Sequence, residues 1–385
     1  MKTFKSFVLI IPILFLECCS NKDIDLLPSF NLQDLSNIKT ISLSDIGLNN
    51  IFYIPLETDS SAFIRYISRL RYDDNSFVVC VDKRRILRFA WDGSFISSIG
   101  KRGKGPNEYL NVHDLDIHEN GNIYVLSAWE NKFYIYSQSG EFVKSFSSPK
   151  DATKFKLTGE FILCYSKNSE GIVDNSFNLI DHEGNIVKKY PNKYPYKSQS
   201  NPIIFLNENI FYRFNGNLLK KEINSDTVFA FEDNDFNPIY TFNHGKKLMP
   251  QKAREDYSLE NIMEKFITQW NLFEFGNKIY YEFSTNGERF SFVGSLKDDF
   301  QILSKKEQGF INDFDGGPNI KFKKSINDNT IISWINAFDL KTYVASDDFK
   351  NSTPKYPEKK KELKKLANSL DENDNPVLML VKLKE

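Results

Sequence analysis

Two stretches of this chain spell the same four short strands in the same order, and that repetition limits the fold more than any single residue does. Residues 112–117 alternate, 123–126 are apolar and rich in β-branched and aromatic residues, and 133–136 and 142–146 are the next two short strands, parted by Glu119-Asn120-Gly121-Asn122 and Ser139-Gly140 turns. They lack a helical period, so the unit reads as an antiparallel meander. Residues 67–72, 77–81, 86–89 and 95–99 form an upstream copy, with Asp73-Asp74-Asn75 and Asp92-Gly93 at its turns. Phe77 corresponds to Ile123, 46 residues on (77 to 123), and Gly93 to Gly140, 47 residues on (93 to 140). One meander cannot cover both its faces, and a repeat of about 40–50 residues with four strands is the signature of a propeller blade.

Three further copies, over 155–190, 210–242 and 270–303, drift in sequence but keep the strand pattern. The C-terminal part supplies only three strands, near 320–323, 330–335 and 377–381. At the other end, Ile51–Leu56 is a strand with no partners of its own. Pairing it with Val377–Val381 completes a sixth blade and removes two sheet edges at once. The expected fold is all-β: a six-bladed β-propeller of four-stranded antiparallel blades, closed by its N- and C-terminal strands over residues 39–385. Two short helical insertions interrupt it. Residues 250–268 offer Tyr257, Ile262, Phe266 and Ile267 as an apolar side, and Pro357 opens a helix with Leu363, Leu366 and Leu370 on one stripe.

The first residues carry an address. Lys2 and Lys5 precede an apolar run over 7–16 that ends at Glu17-Cys18-Cys19, too short to span a bilayer comfortably and laid out as a secretory signal. Cys19 is the expected lipidation site, which makes residues 1–19 a lipoprotein signal peptide and 20–38 a polar tether. The partner this implies is the membrane, reached through an N-terminal lipid. A net charge of −1, from 50 basic and 51 acidic residues, gives no field suited to nucleic acid. Cys80 and Cys164 fall in blades separated by a whole blade, so they are expected as buried free thiols.

Propeller geometry places the crossings between blades, and the turns between second and third strands, on one face around the central channel. Ligands commonly bind there. Loops 82–85, 100–109 and 127–132 put Lys83, Arg84, Arg85, Lys101, Arg102 and Lys104 on that face. The expected ligand site is Arg84, Lys101, Arg102, Lys104 and Glu108, with Tyr109 and Trp129 offering flat surfaces. Its ligand would be an anionic glycan, peptide or protein. The glycines at 100, 103 and 105 precede no helix, so they serve a sharp crossing rather than a nucleotide phosphate. No metal, cofactor or catalytic residue is expected. His113 and His118 lie on opposite faces of one strand, and no nucleophile is paired with a base in a recognisable motif.

Several stretches, in order, carry a family resemblance: FYIPLET, FAWDGSFISSIGKRGKGPNEY, NIYVL with SGEFV, SDTVFAF, PIYTFNHGKKLMP and DENDNPVLMLVKLK. With them the chain resembles the six-bladed β-propeller lipoproteins of Bacteroidota, distantly similar to NHL-repeat propellers. Asn107 departs from the family pattern, which has a second glycine before Glu-Tyr. The resemblance implies a cell-envelope, outer-membrane lipoprotein, periplasmic or surface-exposed, and carries over no catalytic residues. The expected function is a binding or scaffold module with its ligand on the channel face. The alternative is a hydrolase or lyase acting on envelope or dietary glycans through the channel.

Overall fold

The computed structural model describes residues 27–198 and 202–384. The signal segment and Cys19 lie outside the described residues. Six four-stranded antiparallel sheets form the ring, each running from an inner strand at the channel outward. The inner strands are Ile67–Tyr72, Asp114–Ile117, Ala152–Thr158, Asn209–Phe214, Thr268–Phe275 and Lys324–Asn327. The chain ends close the ring as expected. Leu48–Pro55 pairs antiparallel with Val377–Leu383, in a register that sets Ile51 opposite Val381 and Pro55 opposite Val377. Ile51, Val377 and Val381 are all buried there.

Aromatic side chains fill the wedges between blades. Phe77 stacks on Phe89 at 5.9 Å and Phe133 meets Phe155 edge-on at 4.9 Å, while Phe310 stacks on Phe322 at 4.4 Å. The repeated turn glycines also join blade to blade. Gly93, Gly140 and Gly184 each hold φ near +90°, where a side chain is disfavoured. A Cβ on each would fall within 2.1–2.6 Å of a carbonyl oxygen in the preceding blade's outer strand: Pro55, Ser98 and Ser147. Backbone bonds from Glu57 N to Gly93 O (2.9 Å) and from Gly100 N to Gly140 O (3.1 Å) use that closeness. Cys80 and Cys164 are buried and free.

Three boundaries differ from the sequence reading. The segment expected as tether docks from Ser29. Ser29–Asn31 adds a fifth, parallel strand to blade four, and Phe30 is buried against Phe242 and Phe292. A three-residue strand in a polar stretch carries too little pattern to be seen. The inner strand of blade six lies at Lys324–Asn327 rather than at 320–323, because Ile320 bridges Phe310 and the Phe322 ring is taken up by Phe310. The second insertion begins at residue 337. Helices α3 (Ala337–Ala345) and α4 (Asp347–Asn351) precede the expected α5 (Pro357–Ser369), and Leu340, Val344, Phe349 and Leu363 form one small core. The first insertion holds α1 (Ala253–Asp256) and α2 (Leu259–Lys265). Among the described residues no helix is long and apolar enough to cross a membrane.

Candidate functional site

The inner strands surround a cavity of about 660 Å³ on the propeller axis. Alternation along these strands sets charged side chains two residues apart at its wall. Blade one contributes Arg69 and Arg71, blade two Asp114 and Asp116, and blade three Lys154 and Lys156. Arg213, Lys323, Lys324 and Lys83 complete the lining charges, eight basic against two acidic.

Both acids are engaged by their neighbours. Arg71 Nη2 donates to Asp114 Oδ1 at 2.7 Å, and Arg71 Nε lies 3.4 Å from Asp116 Oδ1. Lys156 Nζ sits 3.3 Å from the same Asp116 oxygen. The backbone N–H groups of Phe155 and Leu157 donate to Asp114 Oδ2 (3.2 Å) and Asp116 Oδ2 (3.3 Å), tying blade two to blade three. Burial acts to raise the Asp116 pKa, yet Lys156, Arg71, Arg213 and Lys324 together hold it below the usual carboxylate value.

The remaining cations lack acidic partners of this quality. Lys154 Nζ donates to Asn207 Oδ1 (3.1 Å) and to the Asn209 carbonyl (2.7 Å), both neutral. Burial first, then repulsion from Arg69, brings its pKa down to about 7. Lys324 donates to the Leu70 carbonyl at 3.4 Å and lies 5.3 Å over the Tyr72 ring; burial and then Arg71 and Lys156 hold its pKa well below the ordinary lysine value. Arg213 donates to the Leu157 carbonyl. At the mouth, burial and then Lys83 and Arg69 push His113 down to about 4. A low-dielectric cleft lined by one sign of charge focuses its field on the axis.

A second cavity of about 470 Å³ adjoins the mouth and shares Ser68, Arg69, Trp270, Asn271 and Lys323 with the channel. In it the Arg289 guanidinium lies 4.1 Å over the Trp270 ring and pairs with Glu282, which also holds Lys306 at 2.7 Å.

None of the seven residues expected from the loops lines the channel. Loop 100–109 climbs the outer seam between blades one and two. Gly100 packs under the Tyr136 ring, where a Cβ would come within 2.4 Å, and Leu110 N donates to Glu130 Oε2 at the upper end. Tyr109 is 1% exposed, its ring edge-on to Tyr136, so it forms core rather than a flat surface. Glu108 braces its own loop, accepting from Gly105 N (3.0 Å) with Lys101 at 3.6 Å. Arg102 is exposed and its Nε donates to the Leu110 carbonyl at 2.9 Å, while Arg84 and Lys104 are exposed. Trp129 is 74% exposed and touches His113, whose carbonyl accepts from Arg69 at 3.3 Å. Through His113, Trp129 stands beside the channel wall, and Lys83, next to Arg84, lines it.

On the opposite face His118 and His182 approach to 5.3 Å, but both His182 nitrogens are taken, by the Tyr124 hydroxyl and the Gly159 carbonyl. Among the described residues no group of three or more His, Cys, Asp or Glu is placed to hold a metal ion.

Among solved structures, a crystal structure of a protein described as exported, from Bacteroides fragilis, superposes with a TM-score of 0.68 at 15% identity. The match covers 93% of this chain and 99% of that one. A member of the DUF4221 family from Bacteroides vulgatus gives a TM-score of 0.49 at 12% identity, covering 88% and 97% of the two chains. At 15% identity the likeness to the Bacteroides fragilis protein is one of fold. No curated protein matches. A family model described as a domain of unknown function, DUF4934, matches residues 27–382, so the chain belongs to the DUF4934 family.

Proposed function

We propose that the protein is a binding module of the cell envelope that holds an anionic ligand (carboxylate, sulfate or phosphate) in the central channel. The observation that carries this reading is the eight-to-two excess of basic over acidic side chains around one cavity. Guanidinium and ammonium groups held in a poorly solvated wall form their strongest hydrogen bonds to such anions. Binding is favoured over glycan hydrolysis or elimination because Asp114 and Asp116, the channel's carboxylates, are committed to Arg71, Lys156 and backbone N–H groups. Arg84, Lys101, Arg102 and Lys104 then act at a distance, adding positive potential on the approach rather than touching ligand. The exported description of the Bacteroides fragilis relative supports an envelope or secreted location, and lipidation at Cys19 would fix the module to a membrane.

Calorimetric titration with sulfate at low ionic strength tests this reading. Arg213→Gln should weaken binding about tenfold, the loss of one charged hydrogen-bonding group, and 0.5 M sodium chloride should weaken it further. Sulfate binding that is absent, or indifferent to Arg213→Gln, would overturn it.

A further inference from the structure

The channel mouth adds large apolar side chains to the charged wall. Tyr66 and Leu206, 62% and 68% exposed, line the same cavity as the lysines, and Trp270 joins them across the opening. Asn207 marks the boundary. Its Oδ1 accepts from Lys154 Nζ (3.1 Å), its Nδ2 donates to the Trp270 carbonyl (2.7 Å), and its carbonyl accepts from Gln269 Nε2 (2.8 Å). One fixed residue therefore ties Lys154, whose hydrogen-bond partners are neutral, to the collar beside it, with Leu206 next in the chain. Tyr66 is fixed on the other side, its carbonyl accepting from Asp82 N at 3.1 Å.

A bare inorganic anion would satisfy the interior and leave Tyr66 and Leu206 in water, beside a half-buried Trp270 ring that Arg289 covers on one face. Resting on the anion-site reading above, we propose that the ligand is an amphiphilic anion. Its acidic head enters between Arg69 and Lys154, and its apolar part lies on Tyr66, Leu206 and Trp270. The cavity volume falls within the range that buries most of a small-molecule ligand, and the collar supplies the apolar surface that such a ligand needs.

The test uses inorganic phosphate and the series methyl, butyl and hexyl phosphate, titrated as monomers into the soluble protein. Each methylene laid on the collar should tighten binding about threefold, so hexyl phosphate should bind at least about thirtyfold more tightly than inorganic phosphate. Leu206→Ser and Tyr66→Ser, uncharged changes at exposed positions where folding is little affected, should erase the chain-length gain and leave inorganic phosphate unchanged. A parallel arm sediments the protein with phosphatidylcholine vesicles carrying phosphatidic acid. Co-sedimentation identifies a membrane lipid as the source, and a hexyl phosphate gain without co-sedimentation identifies a free amphiphile. Affinity independent of chain length, with inorganic phosphate still bound through Arg213, overturns the amphiphile and leaves the anion site standing. Loss of all phosphate binding overturns both.

Discussion

Replacing Asp116 by asparagine should make the protein less stable and a better anion binder at the same time. The carboxylate lies 3.4 Å from Arg71 Nε and 3.3 Å from Lys156 Nζ, and its side chain is 13% exposed. Removing one partner of a buried charge pair typically costs about 3–5 kcal/mol. Water and chloride can enter this cavity and compensate in part, so about 3 kcal/mol is expected. For 385 residues the unfolding entropy is roughly 0.8 kcal/mol per kelvin, which converts that loss into a fall in Tm of about 4 °C. The same change removes one negative charge from the channel. At a separation near 6 Å and an effective dielectric constant of about 50, between that of the wall and that of water, each unit of anion charge gains about 1 kcal/mol, so sulfate should bind at least about fivefold more tightly. Because the folded-state pKa of Asp116 lies below its unfolded value, the parent's advantage exists above about pH 4 and disappears as pH falls through the depressed value. Calorimetric unfolding with sulfate titration on both proteins reads each effect. A variant as stable as the parent, or one that loses stability and sulfate affinity together, would refute the electrostatic argument.

Other expectations follow from separate parts of the molecule. Deleting residues from Pro376 onward removes the strand that pairs with Leu48–Pro55, so the whole ring should unfold; a soluble truncation with a cooperative melt would refute closure. Sulfate keeps its charge between pH 8 and 6 while Lys154, with a pKa of about 7, gains a proton, so affinity should rise about fivefold to tenfold as pH falls; a flat profile would count against Lys154 in the site. Arg254→Met strands the buried Glu208 carboxylate, which also accepts from the Tyr165 hydroxyl, and should cost about 3–5 kcal/mol in denaturant unfolding; a loss below about 1 kcal/mol would mean the pair is not desolvated. Cys19→Ala should move the protein from the membrane to the soluble fraction or leave it unprocessed, and unchanged fractionation would exclude that cysteine as the anchor.

The blades were legible because a repeat announces itself: Gly93 and Gly140 stand 47 residues apart and perform the same contact in successive blades. Closure was legible for a related reason, since an unpaired strand at each end has one economical use. The site was harder to find. Loop basics such as Arg102 stand out in the sequence, yet a crossing loop can climb an outer seam, and the side chain of Tyr109 at its end turned inward. The channel left a quieter mark in the charged pairs at alternate positions of three first strands: Arg69/Arg71, Asp114/Asp116 and Lys154/Lys156. A strand buried in a blade would carry apolar residues there, so alternate charges indicate a wall facing solvent or ligand. Arg213 and Lys324 lacked even that pattern. Their convergence depends on ring closure, which brings residues more than 100 positions apart to one axis.

Anomalous diffraction from crystals soaked in selenate tests the central claim most directly, because it locates the anion without assuming which residues hold it. The strongest selenium peak should lie on the propeller axis, within hydrogen-bond reach of Arg69, Lys154 or Arg213, and should weaken in Arg213→Gln crystals. Selenium confined to the outer seam beside Lys101 and Arg102, with an empty axis, would contradict the account.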